Sequence, residues 1–462
     1  MYYDISLGRQ VDQDQNIKER GVEMNIKKIT MKNFRCFTEQ EISLNSKFNL
    51  IVGNNGFGKS TILEALSIGI SGYLNEIKSL LPNDKRNITQ DDVRIKRNPI
   101  SELTEFQSIY PVELNYTVEF NSTEYNYSRI KKQKGSNTTF GEDTKIKKLS
   151  SEANKTLENG IKNILPAFAY HGTGRVWAKS SVPNKDFETN NRVFGYKNCI
   201  NPMSNEKQYV KWMEDMRAFE IDEGVESVEL QTLYRAAEKF LGEGSKVRFQ
   251  KKENQIMITL PSKRMMHYSK LSDGYKNALG IVFDTAFRMI KLNPWLKESA
   301  IDETPGIILI DEIDLHLHPS WQKRIVTDMK NTFPKMQIIA TTHAPIVVSS
   351  CNKDELIILD AELDDNLDSV VSVKNSEIST KGWLAENILA DIMGVPTSRD
   401  EETEAEIKRF RELYEKKFRN KITDAEVNEL KNLKERLEKK LPSEDPLITL
   451  IGFEAYEKSL EG

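Results

Sequence analysis

The fold prediction begins with Ile51-Val-Gly-Asn-Asn-Gly-Phe-Gly-Lys-Ser-Thr61. It contains Gly53-x-x-x-x-Gly58-Lys59-Ser60, the spacing of a loop that wraps phosphate groups. Glycines let backbone N–H groups turn inward toward phosphate oxygens, and the N-terminus of a following helix attracts the same anion. The lysine neutralises β/γ-phosphate charge and the hydroxyl can ligate Mg²⁺, although an ordinary glycine-rich turn is the alternative. The predicted nucleotide contacts here are Asn54, Asn55, Gly56, Gly58, Lys59, Ser60 and Thr61.

The flanking sequence supplies the context that such a loop requires. The runs "IKKITMKNFRCF" and "EISLNSKFNLIVG" alternate, which predicts two strands leading into the loop. After the loop, apolar residues recur at helical spacing in "STILEALSIGI". Strand, glycine loop and helix therefore follow one another in the expected order.

A second apolar run, "GIILIDE", ends in two acids, Asp311 and Glu312. Asp311 suits a Mg²⁺ contact through water, and Glu312 suits polarising the water that attacks the γ-phosphate. The alternative is a pair of solvated acids at a strand end. The next apolar run, "MQIIATTHA", carries His343, which can donate to the γ-phosphate unless it is a capping or loop histidine. We expect both runs to be buried parallel strands.

A third motif, "LSDGY", precedes the acids, with Ser272 lying 39 residues before Asp311. Ser272 and Gly274 come just before a helical run, so they predict an anion site at a helix N-terminus, with an ordinary helix cap as the alternative.

Composition bounds the class of protein. The 462 residues are 38% hydrophobic and 29% charged, with a net charge of -4, which argues against a generally basic surface. Three dispersed cysteines indicate a reducing, cytoplasmic compartment, and no membrane span is expected because the sequence has no run of about 20 apolar residues. Two basic clusters near aromatic residues, 129–134 and 145–148, leave DNA contact open, although a solvated face is the commoner explanation.

The coarse pattern predicts an α/β fold with a mixed sheet and an antiparallel β layer formed by "YPVELNYTVEF" and "EYNYSRIKKQ". Polar residues 133–160 predict a mobile loop, residues 206–241 predict helices, and "KVRFQKKENQIMITLP" predicts a hairpin. The predicted divisions are a flexible leader (1–23), an ATPase domain (24–397) with a helical insertion (133–250), and charged C-terminal helices (398–462).

The motifs together resemble the RecF/SMC/OLD branch of ABC-type ATPases. The segments that carry the resemblance are "ITMKNFRCF", "IVGNNGFGKSTILEAL", "LSDGYKNAL", "IILIDEIDLHLHP" and "IIATTHAPIVV". The resemblance implies ATP and Mg²⁺ as ligands and a homodimer or higher homo-oligomer with composite ATP sites. In such a site, Ser272 and Gly274 would meet the γ-phosphate held by the opposite subunit. The resemblance makes Gln90 in "ITQDDVR" a candidate for the glutamine loop and so for a Mg²⁺ ligand, with Asp91 and Asp92 as rivals and a polar turn as the alternative. It also makes "DLHLHP" a loop at the dimer interface, although His316 and His318 could instead ligate zinc.

Shorter segments, "PAFAYHGTGR", "FGYKNCI" and "WLAENILADIMGVPTSRD", resemble the ATPase subunit of Septu-like anti-phage systems. That resemblance implies a partner HNH nuclease that the ATPase regulates. Two alternatives are a RecF-like DNA-repair ATPase and a self-contained OLD-like nuclease. Asp360, Asp364 and Asp365 could mimic the metal cluster of such a nuclease, but they also fit a turn after "ELIILD", so we do not expect this chain to cut DNA itself. Only 213 residues separate Lys59 from Ser272, without sustained heptads, so SMC-type arms are not expected. Apolar positions in the C-terminal helices predict either a docking stripe or internal packing: Ile407, Phe410, Leu413, Leu430 and Leu433.

Overall fold

The computed structural model describes residues 23–100, 103–176, 191–203, 206–363 and 369–449. The predicted leader lies almost entirely outside the described residues, as do Asp364 and Asp365. The chain divides into two units, one ending at Ile388 and one beginning at Leu389. The predicted boundary at residue 398 and the predicted leader stay predictions. None of the helices in the described ranges combines the length and the apolar composition of a membrane span.

The strands carry the alternating and β-branched runs of the sequence. In chain order they are β1 (Met24–Phe34), β2 (Phe37–Ser43), β3 (Phe48–Val52), β4 (Ile95–Ile100), β5 (Leu103–Ser108), β6 (Val112–Phe120), β7 (Thr123–Lys131), β8 (Thr139–Phe140), β9 (Ala167–His171), β10 (Lys246–Gln250), β11 (Gln255–Thr259), β12 (Met265–His267), β13 (Gly306–Ile310), β14 (Met336–Thr341), β15 (Leu356–Leu363) and β16 (Ser369–Asn375).

Two of the sheets organise the first unit. The six-stranded sheet has the order β16-β15-β3-β14-β13-β9, and all its strands except β16 run parallel. The five-stranded sheet has the order β2-β1-β6-β7-β8 and is antiparallel. The remaining sheets are β10-β11-β12, which contains the predicted hairpin, and the pair β4-β5. The predicted α/β class, with a mixed sheet and an antiparallel layer, is confirmed.

The helices connect these layers. In chain order they are α1 (Lys59–Leu74), α2 (Lys145–Glu158), α3 (Glu206–Glu223), α4 (Val228–Leu241), α5 (Asp273–Leu292), α6 (Ala300–Glu303), α7 (Pro319–Gln322), α8 (Ile325–Thr332), α9 (Pro345–Val348), α10 (Ala385–Asp391), α11 (Glu401–Phe418) and α12 (Asp424–Lys440).

Helix α1 contacts both large sheets, and nearly all of its residues are buried. The Tyr116 hydroxyl donates to the Ala65 carbonyl at 2.6 Å, and the Tyr127 hydroxyl donates to the Gly69 carbonyl at 2.8 Å. A Cβ on Gly69 would lie 2.5 Å from the Tyr116 ring, so the close approach needs glycine. A helix that is apolar on all sides is expected in such a buried position.

The region 133–250 differs from the prediction in two places. Residues 145–158 form helix α2 rather than a mobile loop, because Ile146, Leu149 and Ala153 repeat at helical spacing and are buried. The same region contains β9, which pairs parallel with β13 as the edge strand of the six-stranded sheet.

The structure also has one more strand before the glycine loop than the sequence predicts. Three strands, β1, β2 and β3, precede the loop, whereas the sequence pattern predicts two.

The first predicted basic cluster is largely internal. Arg129 is 2% exposed, donates to the Asn87 side chain at 2.5 Å and lies 4.4 Å from the Phe140 ring centroid. Lys131 is also buried and donates to the Ser136 carbonyl at 2.5 Å. The interpretation of this cluster as a solvated face is therefore wrong for these two side chains, and neither is available to a phosphate backbone.

The second unit has a core of its own. The apolar stripe of α11 packs against that of α12, and Leu447 closes the cluster. The members of this core are Ile407, Phe410, Leu413, Leu430, Leu433, Leu437 and Leu447. Of the two alternatives for the stripe, the structure contradicts the docking surface, because the same side chains are buried inside the helical hairpin.

Candidate functional site

Three neighbouring strands bring the sequence motifs to one edge of the six-stranded sheet. β14 lies between β3 and β13, with Thr341 paired to Ile51 and Ala340 paired to Ile310. Since these strands are parallel, their carboxyl ends open on the same side. The glycine loop follows β3, the two acids follow β13, and His343 follows β14. This is the edge at which parallel α/β sheets bind ligands.

The packing around Gly58 leaves no room for a larger residue at this position of the glycine loop. Gly58 has a φ of 92°, and a Cβ at this position would lie 2.5 Å from the Cys36 sulfur. The turn between β1 and β2 therefore packs directly against the start of α1. Around this contact the predicted phosphate-binding residues divide by exposure: Asn54, Asn55, Gly56 and Ser60 are exposed, whereas Thr61 is buried.

Lys59 lies inside this loop and is 7% exposed. Its ammonium donates to the Gly53 carbonyl at 2.7 Å and to the Asn54 carbonyl at 3.0 Å. Burial lowers the pKa of Lys59, although the negative charges of Asp311, Glu312 and Asp314 act against that effect. The lysine is therefore electrostatically connected to the acids that follow β13.

The N-terminus of α1 leaves its first N–H groups without a side-chain cap, and its first turn carries no acid. Such a terminus, with a buried cation beside it and an exposed hydroxyl at Ser60, fits a nucleotide phosphate with Mg²⁺. Lys59 and the loop N–H groups would hold the phosphate, and Ser60 with Asp311 would hold the metal.

The acids after β13 are held by Thr341 of β14. The Thr341 hydroxyl donates to the Asp311 carboxylate at 2.7 Å and accepts the Glu312 N–H at 2.7 Å. Asp311 is 7% exposed, and Glu312 has a φ of 51°, a conformation that is uncommon outside glycine. One hydroxyl therefore fixes the position of Asp311 and the backbone direction of Glu312.

The segment after β14 is tied to the same loop. The Thr342 hydroxyl donates to the Asp314 carboxylate at 2.5 Å, and it accepts the Ala344 N–H at 3.0 Å. The neighbouring His343 is exposed at the same edge of the sheet. The two residues that flank it therefore fix the backbone that presents this imidazole.

The His-x-His pair does not form a zinc site within the described residues. His318 caps α7, with its Nδ1 2.9 Å from the Ser320 hydroxyl oxygen. Across the ranges that the structure describes, no group of three His, Cys, Asp or Glu side chains could hold a metal ion on its own.

The signature residues lie at the start of α5. Ser272 occupies the N-cap position and is exposed, but its hydroxyl makes no capping hydrogen bond. The ordinary-cap explanation is therefore wrong for this side chain. Gly274 packs against the loop after Glu312, where a Cβ would overlap the His316 carbonyl oxygen.

Arg35, which follows β1, connects the segment around Gln90 to the turn that packs against the glycine loop. The Arg35 N–H donates to the Asp92 carbonyl at 2.9 Å, and its guanidinium donates to the Asp92 carboxylate at 2.7 Å. Asp92 is fully buried and also accepts from Arg86 and Thr89, which leaves it unavailable to a metal. Gln90 is exposed, and its amide oxygen accepts the Tyr110 hydroxyl at 2.7 Å.

Sequence reasoning missed Arg175, which follows β9. Its guanidinium donates to the carbonyls of Asp311 at 2.6 Å and Glu312 at 2.8 Å, and also to the Asn277 side chain. The segment "HGTGR" carries only a family resemblance. No local pattern assigns a role to a lone arginine in a region without periodicity.

Comparison with known proteins agrees with this geometry. The AAA domain family matches residues 28–256, and a second AAA-domain model, described as a putative AbiEii toxin of a type IV TA system, matches residues 211–349. The chain is similar to the "Retron Vc95 probable ATPase" of Vibrio cholerae, with 24% identity over 79% of this chain and 80% of the relative. It is also similar to the Septu protein PtuA of Bacillus thuringiensis, with 26% identity over 87% of this chain and 92% of the relative.

A solved SMC head domain from Thermotoga maritima aligns with a TM-score of 0.43 and 18% identity, covering 77% of this chain and all of that one. The strand order, the loop geometry and the curated relatives lead to one conclusion. The chain is an ATPase, and its features fit the ABC-type RecF/SMC/OLD branch.

Proposed function

We propose that this chain is the ATPase of a bacterial anti-phage defence system, where it dimerises around ATP and regulates a partner HNH nuclease. The observation that carries the proposal is that Lys59, Asp311 and Glu312 follow the carboxyl ends of parallel strands at one edge of the sheet, in a chain similar to PtuA over 87% of its length. The defence role is taken from the names of the relatives, and the chemistry is taken from the site.

ATP would bind with its β- and γ-phosphates against the open N-terminus of α1. The exposed Asn54, Asn55 and Gly56 form the rim of this cradle, and the Lys59 ammonium would exchange its carbonyl partners for phosphate oxygens. A charge-assisted bond to phosphate is stronger than the bonds that it replaces, so binding is favoured.

The chemistry that Mg²⁺ supplies in such a site is neutralisation of charge between the β- and γ-phosphates. Ser60 would supply a hydroxyl ligand, and Asp311 would supply a carboxylate whose direction is fixed by Thr341. Gln90 is the third proposed ligand, which requires its amide to leave the Tyr110 hydroxyl.

Hydrolysis would depend on Glu312, which orients and polarises the attacking water. Its backbone N–H is held by Thr341, which fixes the direction in which the side chain leaves the backbone. His343 would donate to the γ-phosphate from the neighbouring strand end. Because Glu312 and His343 would act only on the γ-phosphate, their interactions with the nucleotide would be lost when this phosphate is released.

A second subunit would complete each site. The exposed Ser272 hydroxyl has no capping bond, so it can donate to a γ-phosphate held by another chain. Gly274, which has no side chain, would let the N-terminus of α5 come close to the same γ-phosphate. The experiment mixes Lys59→Ala chains with Ser272→Arg chains, since a mixed dimer keeps one intact composite site.

We expect ATPase activity to return in that mixture, while each variant alone stays inactive. The matched control mixes Lys59→Ala with Asp311→Asn, which damages the same half of the site and leaves no intact composite site. No recovery despite verified mixed dimers would exclude composite sites.

The nuclease would be a separate protein. Asp360, the described member of the acidic trio, lies in β15, where its carboxylate accepts the N–H of its own neighbour Ala361 at 2.8 Å. The second unit, with its own core and charged exterior, is the proposed contact for the partner. Co-expression with an adjacent HNH gene followed by pull-down tests this, and DNA cleavage by the purified chain alone would favour the OLD-like alternative.

A further inference from the structure

Arg175 lies where three functional segments meet. Its Nη1 donates to the carbonyls of Gly172 at 2.8 Å and Asp311 at 2.6 Å, and its Nη2 donates to the Glu312 carbonyl at 2.8 Å. Its Nε donates to the Asn277 amide oxygen of α5. One rigid, planar group therefore joins the end of β9, the acids after β13 and the signature helix.

The guanidinium is buried, with the residue 9% exposed, and its hydrogen-bond acceptors among the described residues are carbonyl and amide oxygens. Burial lowers the pKa of Arg175 to about 10, so the group stays charged at neutral pH. A buried cation held in this way fixes its partners relative to one another. Moving the Glu312 carbonyl or the Asn277 amide would leave a charged N–H without its acceptor.

Helix α5 is attached to the same loop at two further points. The Asn277 amide donates to the Leu315 carbonyl at 2.9 Å. Gly274 touches the His316 carbonyl so closely that no Cβ would fit. A displacement of α5 must therefore displace the chain that follows Glu312, or break these contacts.

Glu312 is the residue that such a displacement would affect. Its φ of 51° is held from one side by Thr341 at the N–H and from the other by Arg175 at the carbonyl. Releasing one side permits the backbone to relax, which would redirect the Glu312 carboxylate.

We propose that Arg175 is a positioning residue that couples the seating of α5 to the orientation of Glu312. This inference rests on the proposed composite site, in which the α5 N-terminus engages the nucleotide of the opposite subunit. When α5 of one subunit binds the nucleotide of the opposite subunit, Arg175 and Asn277 would orient the Glu312 carboxylate of the subunit to which α5 belongs. The affinity of Lys59 for its own nucleotide would not depend on this coupling.

The test compares Arg175→Lys with Arg192→Lys. The first variant keeps the charge but loses the planar set of donors. Arg192 is a matched control, since burial lowers its pKa to about 10 as well and it donates to the Leu292 carbonyl at the other end of α5 at 2.8 Å. ATP affinity, kcat and Tm are measured for both.

We expect Arg175→Lys to lower kcat by about 10- to 100-fold, the range for a small misplacement of a catalytic group. ATP affinity should stay within about threefold of the wild type, because an interaction that acts only in the transition state leaves binding unchanged. Asn277→Ala should give the same pattern, and the double variant should be no slower than the slower single variant. In a Glu312→Gln background, Arg175→Lys should have no further effect on kcat.

Three results would overturn the proposal: an unchanged kcat, an equal loss of kcat in Arg192→Lys, or a loss of ATP affinity as large as the loss of kcat. If Arg175→Lys does not fold, Asn277→Ala decides by the same criteria. The proposed function has its own test in the mixed dimer. A mixture that recovers activity alongside an unaffected Arg175→Lys rejects only the coupling.

Discussion

The helix N-termini at the candidate site are built differently from those of the second unit. In the first unit, neither α1 nor α5 receives a side-chain capping bond, and Ser272 stands at its N-cap position without using its hydroxyl. In the second unit, the Asp400 side chain accepts the Thr403 N–H at 2.9 Å, and the Glu426 side chain accepts the Thr423 N–H at 3.0 Å.

This contrast indicates where an external anion belongs. Orphan N–H groups must be satisfied by a side chain, water or a ligand. The N-termini of α11 and α12 each have a side-chain cap and more than one acid in the first turn, which lie where an anion would bind. The first turn of α5 has one acid, Asp273, and no side-chain cap. Helix α1 has no such acid, so its N-terminus is electrostatically open.

The largest expected effect tests the open terminus of α1. We expect Lys59→Ala to lower ATP affinity by at least about 100-fold, since charge-assisted bonds of about 1.5–3 kcal/mol each are lost. Titration with a fluorescent ATP analogue measures this. Lys78→Ala is the control, because that side chain is 78% exposed and lies outside the loop. Wild-type affinity in Lys59→Ala would mean that the loop does not hold the phosphates.

The next effect separates binding from chemistry at the same sheet edge. Glu312→Gln should lower the hydrolysis rate by about 10²- to 10⁴-fold, the range for removing a general base. ATP should still bind, because the phosphate-binding loop is unchanged. The closed dimer should persist longer, as measured by light scattering in the presence of ATP.

The matched control for this variant is Glu303→Gln. Glu303 ends α6, just before β13 begins at Gly306, and it pairs with Lys335, so it lies at the opposite end of the strand from Glu312. Glu303→Gln should leave both hydrolysis and dimer lifetime unchanged. Equal losses in the two variants would show that Glu312 acts only through the stability of β13.

A smaller effect tests the shape of the loop. Gly58→Ala should destabilise the fold by about 1–2 kcal/mol, because φ is positive at this position. It should also weaken ATP binding, since the new Cβ would lie 2.5 Å from the Cys36 sulfur and displace the loop. Gly135→Ala is the control, since its φ is 77° but nothing lies within 4 Å. Thermal unfolding and ATP titration should give similar losses of stability but a loss of affinity only for Gly58→Ala.

The smallest effect tests the capped terminus of α12. Thr423→Ala should destabilise the second unit by about 1 kcal/mol, the usual cost of removing an N-cap. Hydrogen exchange of the α12 amides measures this, and ATP hydrolysis should be unchanged. Ser227→Ala, which removes the matching cap of α4 in the first unit, should leave exchange in α12 as it is in the wild type. A fall in ATPase activity in Thr423→Ala would contradict the view that the cap of α12 serves only stability, whereas the uncapped N-terminus of α1 serves ATP binding.

Sequence alone predicts the parts of the site whose signals are local. The glycine spacing, the apolar run before Asp311 and the run before His343 each lie within about a dozen residues, so pattern alone assigns them. Helix α2 was missed because its polar residues outweigh Ile146, Leu149 and Ala153, which carry the helical period. That signal was present and could have been found.

Long-range contacts explain the remaining errors. β9 pairs with β13, whose first residue follows Ala167 by 139 positions, and the few residues of β9 show no alternation. Arg129 and Lys131 are buried because β7 belongs to a sheet that covers α1. The role of Arg175 depends on three segments that only the fold brings together.

Helix α1 lies between two sheets, and this arrangement has a consequence for local unfolding. Segments open at a free-energy cost that rises with the number of buried neighbours they must leave. Since α1 is held by Tyr116 and Tyr127 on one side and by the parallel strands on the other, its amides should be among the slowest to exchange with solvent. The phosphate-binding loop is thus anchored to a segment that persists when more peripheral parts of the chain fray.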